Sequence, residues 1–172
     1  VELLRNCVSL CLWVPFNEGW GQFNAARMAE KVRALDPTRL IDHASGWHDQ
    51  GIGNVQSLHV YFKPYRFKPD KKGRAVVLSE FGGYNLPVAG HTWNAKNFGY
   101  KGYQTPEALG EAVKTLYETQ IVPACKSGLA ADVYTQLSDV EDEVNGFVTY
   151  DRRVEKLPEA LMQAIARELK ED

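Results

Sequence analysis

The order of apolar runs along the 172-residue chain predicts an α/β fold built on a parallel sheet. Two kinds of segment carry the prediction. The near-continuous apolar run Val8–Phe16 reads as a strand buried on both faces, as strands of parallel sheets are, and shorter apolar runs rich in β-formers follow it. Between and after them lie stretches whose apolar residues recur with helical period. The resulting order is strand, helix, strand, loop, strand, loop, strand, helix, strand, helix.

Each element has its own signal. After Val8–Phe16, a helix is predicted over Phe23–Leu35, with Met28, Val32 and Leu35 on one stripe and Asp36-Pro37 as its stop. Arg39–His43, Gln56–Phe62 and Ala75–Glu80 are short, apolar and rich in β-formers. Phe81–Tyr103, with five glycines, reads as a long irregular loop, and loops of that length are usually functional or disordered. Thr105 suits an N-cap with Pro106 at the first helical position, and Leu109, Val113, Leu116, Tyr117 and Gln120 carry a helix to about Ile121. Leu129–Leu137 is a further strand, and Pro158 starts a last helix with Leu161, Ile165 and Leu169 on one stripe. Only about a dozen residues separate the second strand from the third and the third from the fourth, the lower limit for a parallel crossover. The pattern fits a partial barrel with degenerate helices or a mixed open sheet.

Composition sets bounds. A single domain over residues 1–172 is expected, because a chain of this length buries roughly 70% of its unfolded surface. Twenty Lys plus Arg against 22 Asp plus Glu leave a formal charge of -2, so no footprint for nucleic acid or an anionic membrane is present. No apolar stretch approaches the ~20 residues of a membrane span. Cys7, Cys11 and Cys125 lie in no metal-ligand spacing and are expected to be small buried apolar residues.

The chemistry centres on two glutamates. Glu18 ends the run Trp13-Val14-Pro15-Phe16-Asn17-Glu18, and Glu80 ends Val76-Val77-Leu78-Ser79-Glu80, followed by Phe81-Gly82-Gly83. In a parallel β/α barrel all strand C-termini open onto one face, so the two carboxylates would meet above one pocket. Cleaving a glycosidic bond needs such a pair, one to protonate the leaving oxygen and one to attack or to activate water. A single strand-end acid could equally cap the following turn. Trp20, Trp47, Trp93 and Tyr134 offer aromatic faces to sugar rings or to the core, and His91 lies beside Trp93 in the long loop. Asp139, Glu141, Asp142 and Glu143 read as a solvated acidic loop.

The runs Leu12–Glu18 and Val77–Gly83 resemble the acid/base and nucleophile strands of glycoside hydrolase family 2, the β-galactosidase, β-glucuronidase and β-mannosidase group. Arg39–Asp42, Ser57–Tyr61 and Gly146–Arg152 resemble further segments of that family's barrel, so the likeness covers nearly the whole chain. It implies the C-terminal part of a (β/α)₈ TIM barrel, strands four to eight, with shortened or missing helices after strands five and six. It also implies a retaining β-glycosidase acting on a carbohydrate substrate by double displacement. Glu18 would be the general acid/base, Asn17 would hold the sugar 2-hydroxyl, Glu80 would be the nucleophile, Tyr61 would hydrogen-bond it, and His59 would touch sugar hydroxyls or sit in the core. Cys7-Val8 stands where many relatives have His-Pro.

A whole barrel takes about 250 residues, so strands one to three and the family's N-terminal domains are expected upstream as partners. The isolated chain is then expected to leave a sheet edge and an apolar face exposed, to self-associate or lose stability, and to be inactive or very weakly active. No cofactor is called for, no metal ligand set is identifiable by spacing, and neither the sugar nor the compartment can be read. Two other readings stay open: a non-catalytic carbohydrate-binding module or pseudoenzyme, and a glycosidase of another family in the same barrel superfamily.

Overall fold

Parallel pairing is present in a computed structural model of the chain, which describes residues 1–170. The last two positions of the predicted domain lie outside the described residues. Strand β1 (Leu12–Trp13) pairs in parallel with β2 (Leu40–Ile41), Leu12 opposite Leu40 and Trp13 opposite Ile41, with helix α1 (Ala25–Leu35) between them in sequence. Strands β3 (Val55–Val60), β4 (Ala75–Gly82) and β7 (Leu129–Thr135) form a three-stranded sheet in the order β3-β4-β7. No helix intervenes between β2 and β3 or between β3 and β4, as the short crossovers predicted. The fold is a mixed α/β arrangement with parallel strand pairs.

The chain divides into two compact units. The first comprises Val1–His59, Lys68–Ser79 and Leu129–Ala131. Its buried side chains include Ala25, Ala29, Ile41, Val55, Val76 and Leu78, supplied by α1 and the strands. On α1 the small Ala25 and Ala29 are the fully buried pair, while the predicted stripe of Met28, Val32 and Leu35 is only half-buried. The run predicted as a strand over 8–16 forms a ladder at Leu12–Trp13 alone, with one more bridge from Asn17 to Ser45. Among the described residues only β2 pairs with it, and Val8 and Cys11 are exposed. The cysteine expectation fails likewise: Cys7 and Cys11 are exposed and Cys125 is half-buried.

Asp36 ties the start of this unit together. As the C-cap of α1 it is buried and accepts from Trp13 Nε1 at 2.9 Å, from the Thr38 amide at 3.0 Å and hydroxyl at 2.6 Å, and from Arg39 at 3.2 Å. The Thr38 hydroxyl, followed by the other donors, holds its carboxyl at about 2 against an ordinary 3.8. A carboxyl depressed in the folded state stabilises above its unfolded value and loses that contribution as pH falls through the folded one. The stability gap between the native chain and Asp36→Asn should therefore be widest above pH 4 and close towards pH 2. Acid titration of both proteins, followed by circular dichroism, measures it; a gap that does not change over this range would contradict the assignment.

The second unit comprises Val60–Phe67, Glu80–Gly128 and Asp132–Asp172. It contains a parallel pair, β5 (Tyr84–Asn85) with β6 (Lys101–Gly102), inside the segment predicted as an irregular loop. These two-residue strands pair across fifteen intervening positions, which no local pattern signals. Helix α2 (Pro106–Leu116) begins as predicted, Thr105 Oγ1 accepting from the Ala108 amide at 3.2 Å with Pro106 following the cap. It buries Leu109, Val113 and Leu116 and packs against α4 (Glu159–Glu168), whose buried residue is Ile165.

Helical structure does not stop at Ile121. A π turn over Tyr117–Ile121 leads into α3 (Val122–Lys126), and the Val122 amide bonds to the Tyr117 carbonyl five residues back. Pro123 has no amide hydrogen and its ring crowds the carbonyl four residues earlier, which normally breaks a helix. The wider π turn immediately before it lets the chain pass the proline and continue.

Asp139 corrects the reading of the acidic stretch. It is buried, accepts from Lys156 Nζ at 2.7 Å and from the Gly146 amide at 2.8 Å, and Lys156 also donates to the Val144 carbonyl at 2.9 Å. Glu143 accepts from Gln136 and Asn145, both at 3.1 Å. Only Glu141 of the four is fully exposed, and Asp142 accepts from Asn94. Gly146 admits no side chain here, since a Cβ would lie 2.2 Å from the Asp139 backbone nitrogen.

Candidate active site

In the first unit the chain turns sharply where β1 has ended. Glu18 takes φ +51° and Gly19 φ +82°, left-handed values that bulky side chains avoid. The Glu18 amide donates to the Ser45 carbonyl at 2.8 Å and Ser45 Oγ donates to Asn17 Oδ1 at 2.6 Å, so the segment after β2 fixes the Asn17-Glu18 pair. Asn17 itself remains exposed.

The Glu18 carboxylate shares a 2.7 Å hydrogen bond with Nδ1 of His59 on β3. The imidazole is fully buried, whereas the Glu18 side chain keeps 15% exposure and so reaches solvent. Gly46, at φ +81°, lies against this ring; a Cβ there would come within 2.4 Å of it. Trp47 meets His59 edge-on with centroids 6.5 Å apart and stays 44% exposed, while Trp20 is 77% exposed. Two tryptophan faces are thus available in this unit without being core.

In the second unit Glu80, near the end of β4, accepts a hydrogen bond from the Tyr61 hydroxyl. Burial, and after it the hydrogen bond to the Glu80 carboxylate, push the Tyr61 phenol far above its ordinary range, so the proton stays on tyrosine. The hydroxyl has one proton to give, so Thr135 Oγ1, 3.0 Å away, donates to it in turn. Tyr100 stacks on Tyr61 with centroids 3.7 Å apart and planes within 2°. The two glycines after Phe81 are required by this packing: at Gly82 (φ +80°) a Cβ would lie 2.2 Å from the Tyr134 ring, and at Gly83 (φ +63°) 2.3 Å from Tyr100.

Tyr134, read as a possible sugar platform, is a packing residue. It stacks on Phe147 at 4.3 Å, meets Phe81 edge-on, and its hydroxyl accepts from the Tyr84 amide at 3.2 Å. His91 and Trp93 sit together as a surface pair. His91 Nδ1 is 2.8 Å from Asp151, Trp93 lies 4.9 Å from the Tyr150 ring, and Trp93 remains 55% exposed. The His91 hydrogen bond, then that of Thr149, holds Asp151 at about 2.

Ser45, Thr135 and Tyr100 escaped the sequence reading. Thr135 stood in a predicted strand, and a polar residue at a strand's C-terminal end was its available signal. Ser45 and Tyr100 act through contacts distant in sequence, which leave no periodic trace. No helix among the described residues is long and apolar enough to cross a membrane.

No family model matches the chain, and no curated protein does. Among solved structures, the β-glucuronidase of Faecalibacterium prausnitzii is similar to it with a TM-score of 0.61 and 15% identity. The match takes in 99% of this chain and 33% of that one, so the chain spans about a third of that protein's length. At this identity the likeness establishes a shared, glycoside hydrolase-like fold.

Proposed function

We propose that the chain is the C-terminal part, strands four to eight, of the catalytic (β/α)₈ barrel of a retaining β-glycosidase of the family 2 type. Glu80 is its nucleophile and Glu18 its general acid/base. The observation that carries this reading is the hydrogen bond from Tyr61 to Glu80. A phenol that keeps its proton and donates it to a carboxylate favours the ionised form of that carboxylate, as a nucleophile requires. The Glu18 carboxylate is held by His59 instead, and its partial exposure suits a group that exchanges protons with a leaving oxygen and with water. The shared fold with part of a β-glucuronidase supports the assignment at the level of architecture.

In this reading Glu80 attacks the anomeric carbon while Glu18 gives its proton to the departing oxygen. Glu18, now a carboxylate, then takes a proton from the water that releases the sugar from Glu80. Asn17 holds the 2-hydroxyl, while Trp47 and Trp20, and in the other unit His91 and Trp93, supply sugar-contacting surface. The missing barrel strands and N-terminal domains complete the pocket, so turnover of nitrophenyl β-glycosides by the 172-residue chain alone should be absent or very weak. Vigorous turnover would overturn that part of the proposal.

Trapping tests the chemistry directly. Prolonged incubation of the full-length parent protein with 2-deoxy-2-fluoro-β-glycosyl fluorides should add one sugar mass to a peptide containing Glu80, with no labelling in Glu80→Gln. Reversible sugar binding with no covalent mass gain would instead identify a carbohydrate-binding module or pseudoenzyme. Labelling at another carboxylate would remove Glu80 from the role.

A further inference from the structure

The segment from His43 to Gly53, in the first unit, leaves β2 and returns to β3, with Trp47 on its exposed part. Its ends are clamped where it closes: the Asn54 amide donates to the Ile41 carbonyl at 2.8 Å, and the Ile41 amide donates to Asn54 Oδ1 at 2.9 Å. Neither bond involves a titratable group. The outer part is held differently. The Gln50 amide donates to Nε2 of His43 at 3.1 Å, and the Gln50 side chain donates to Gln22. Gln50 therefore ties the segment both to its own root and to the chain just after Glu18.

His43 cannot keep this bond in both of its charge states. Its side chain is 1% exposed, and accepting from an amide requires a lone pair on Nε2. The ring is then neutral with its proton on Nδ1, which has no hydrogen-bond partner among the described residues. A second proton would turn Nε2 into a donor facing a donor. Another acceptor is close, since Asp49 Oδ1 stands 3.6 Å from Nε2. Hydrogen bonding by Arg74, more than any other contact, holds the Asp49 carboxyl below its ordinary range against the effect of burial, so Asp49 stays charged. Arg74 Nη2 reaches Asp49 at 2.6 Å and Asp70 at 3.0 Å, and Lys72 Nζ donates to the Gly51 carbonyl at 2.9 Å. Next to His43 in the chain is Asp42, a carboxyl pushed upward by burial, which also feels the charge of His59 on β3. Around Arg74 the two carboxylates outnumber the guanidinium, and a protonated His43 would balance the excess.

We infer that His43 is a proton-operated catch on residues 46–53: neutral, its Nε2 holds the Gln50 amide; protonated, it releases that amide and donates to Asp49, loosening the part of the chain that bears Trp47 while the clamped ends stay in place. Only one proton moves, from water to Nε2. Histidine is the side chain whose ordinary charge change falls between about pH 5 and 8, so the catch holds at the upper end of that range and opens at the lower. Local opening of an exposed segment gives water access to the ring. Trp47 lies edge-on to His59 when the catch is closed, so its indole is the aromatic surface the proton controls. The catch consists of the segment's own hydrogen bonds and holds whatever reaction Glu18 and Glu80 perform.

Amide protection in the 172-residue chain, measured by NMR hydrogen exchange and corrected for the intrinsic pH dependence of exchange, tests the inference. Between about pH 8 and about pH 5 the Gln50 amide should lose roughly tenfold in protection, as expected for one lost hydrogen bond, while the Asn54 amide keeps its own. Nitrogen resonances of the His43 ring should show Nε2 unprotonated at the higher pH and protonated at the lower, over the same interval as the loss at Gln50; this reading needs no variant. In His43→Gln the side-chain oxygen can accept from the Gln50 amide and does not titrate, so protection at Gln50 should no longer depend on pH. Unchanged Gln50 protection in the native chain, a loss shared by Asn54, or a ring that titrates over a different interval would each overturn the inference. So would a folded His43→Gln chain that loses Gln50 protection just as the native chain does.

Discussion

Replacing Lys156 by Met is expected to cost the second unit about 3–5 kcal/mol, a large share of the stability of a domain this size. Both members of the Lys156–Asp139 pair have essentially no exposure, so removing the ammonium strands a carboxylate in a place where water cannot reach it. Burial already pulls both groups towards neutrality, Asp139 upward and Lys156 downward, and the hydrogen bond between them opposes it. The double variant Asp139→Leu with Lys156→Met should recover part of the loss, because apolar replacement of a whole buried pair is often neutral or better. Recovery stays incomplete, since the Gly146 amide loses its partner and the Val144 carbonyl keeps only the Leu86 amide. Urea denaturation of the three proteins gives the answer through the midpoint at constant slope. A single variant within about 0.5 kcal/mol of the parent would show that the pair is solvated in practice.

The second large effect is expected on chemistry and depends on the leaving group. If the proposed function holds, Glu18→Gln in the full-length protein should reduce turnover of alkyl β-glycosides, which cannot depart without a proton, by about 10²–10⁴-fold. With a glycosyl fluoride, whose fluoride leaves without protonation, the first step should proceed near the parental rate. Exogenous azide should then speed release of the sugar, because it does not need the base that water needs. Comparable losses on both substrates would instead assign Glu18 a structural role beside His59. The amide is a fair probe of the proton because Gln is nearly isosteric with Glu and leaves the local backbone undisturbed.

Where an apolar run gained ladder partners or a helix had a clear cap, the sequence predicted the element closely. Ala75–Gly82 is a strand because Val76, Leu78 and Phe81 all enter the core, and α2 starts at Pro106 because Thr105 caps it. The run over 8–16 misled for a physical reason. Apolar content signals what could be buried, and with a ladder partner on one side only, most of it forms no strand. Strands β5 and β6 were illegible because two-residue ladders rest on a long-range meeting rather than on periodicity. Asp139 looked like one of four solvated acids. Its partner stands seventeen positions on, and nothing about the acidic run itself distinguishes the buried member from Glu141.

The candidate site divides the same way. Glu18, Glu80 and Tyr61 were singled out from strand ends and family likeness, and the hydrogen bond between Tyr61 and Glu80 lies within one unit. Thr135 and Tyr100 complete the setting of Tyr61 through contacts 74 and 39 positions away, which a one-dimensional pattern does not encode. His59 was assigned either to sugar hydroxyls or to the core; it is buried, yet its Nδ1 is turned to Glu18.

The π turn at Tyr117–Ile121 bears on how such a helix could have arisen. A π turn is one residue longer than the α turn it replaces, so a helix can acquire one through a single-codon insertion without surrendering the elements on either side. Gln120, which holds the Tyr65 amide, lies inside that turn. Tyr117 and Ile121, at its two ends, both remain in the core. An insertion of that kind would fall where the helix can present a new side chain while keeping its anchors, and the proline two residues further on disfavours a regular winding.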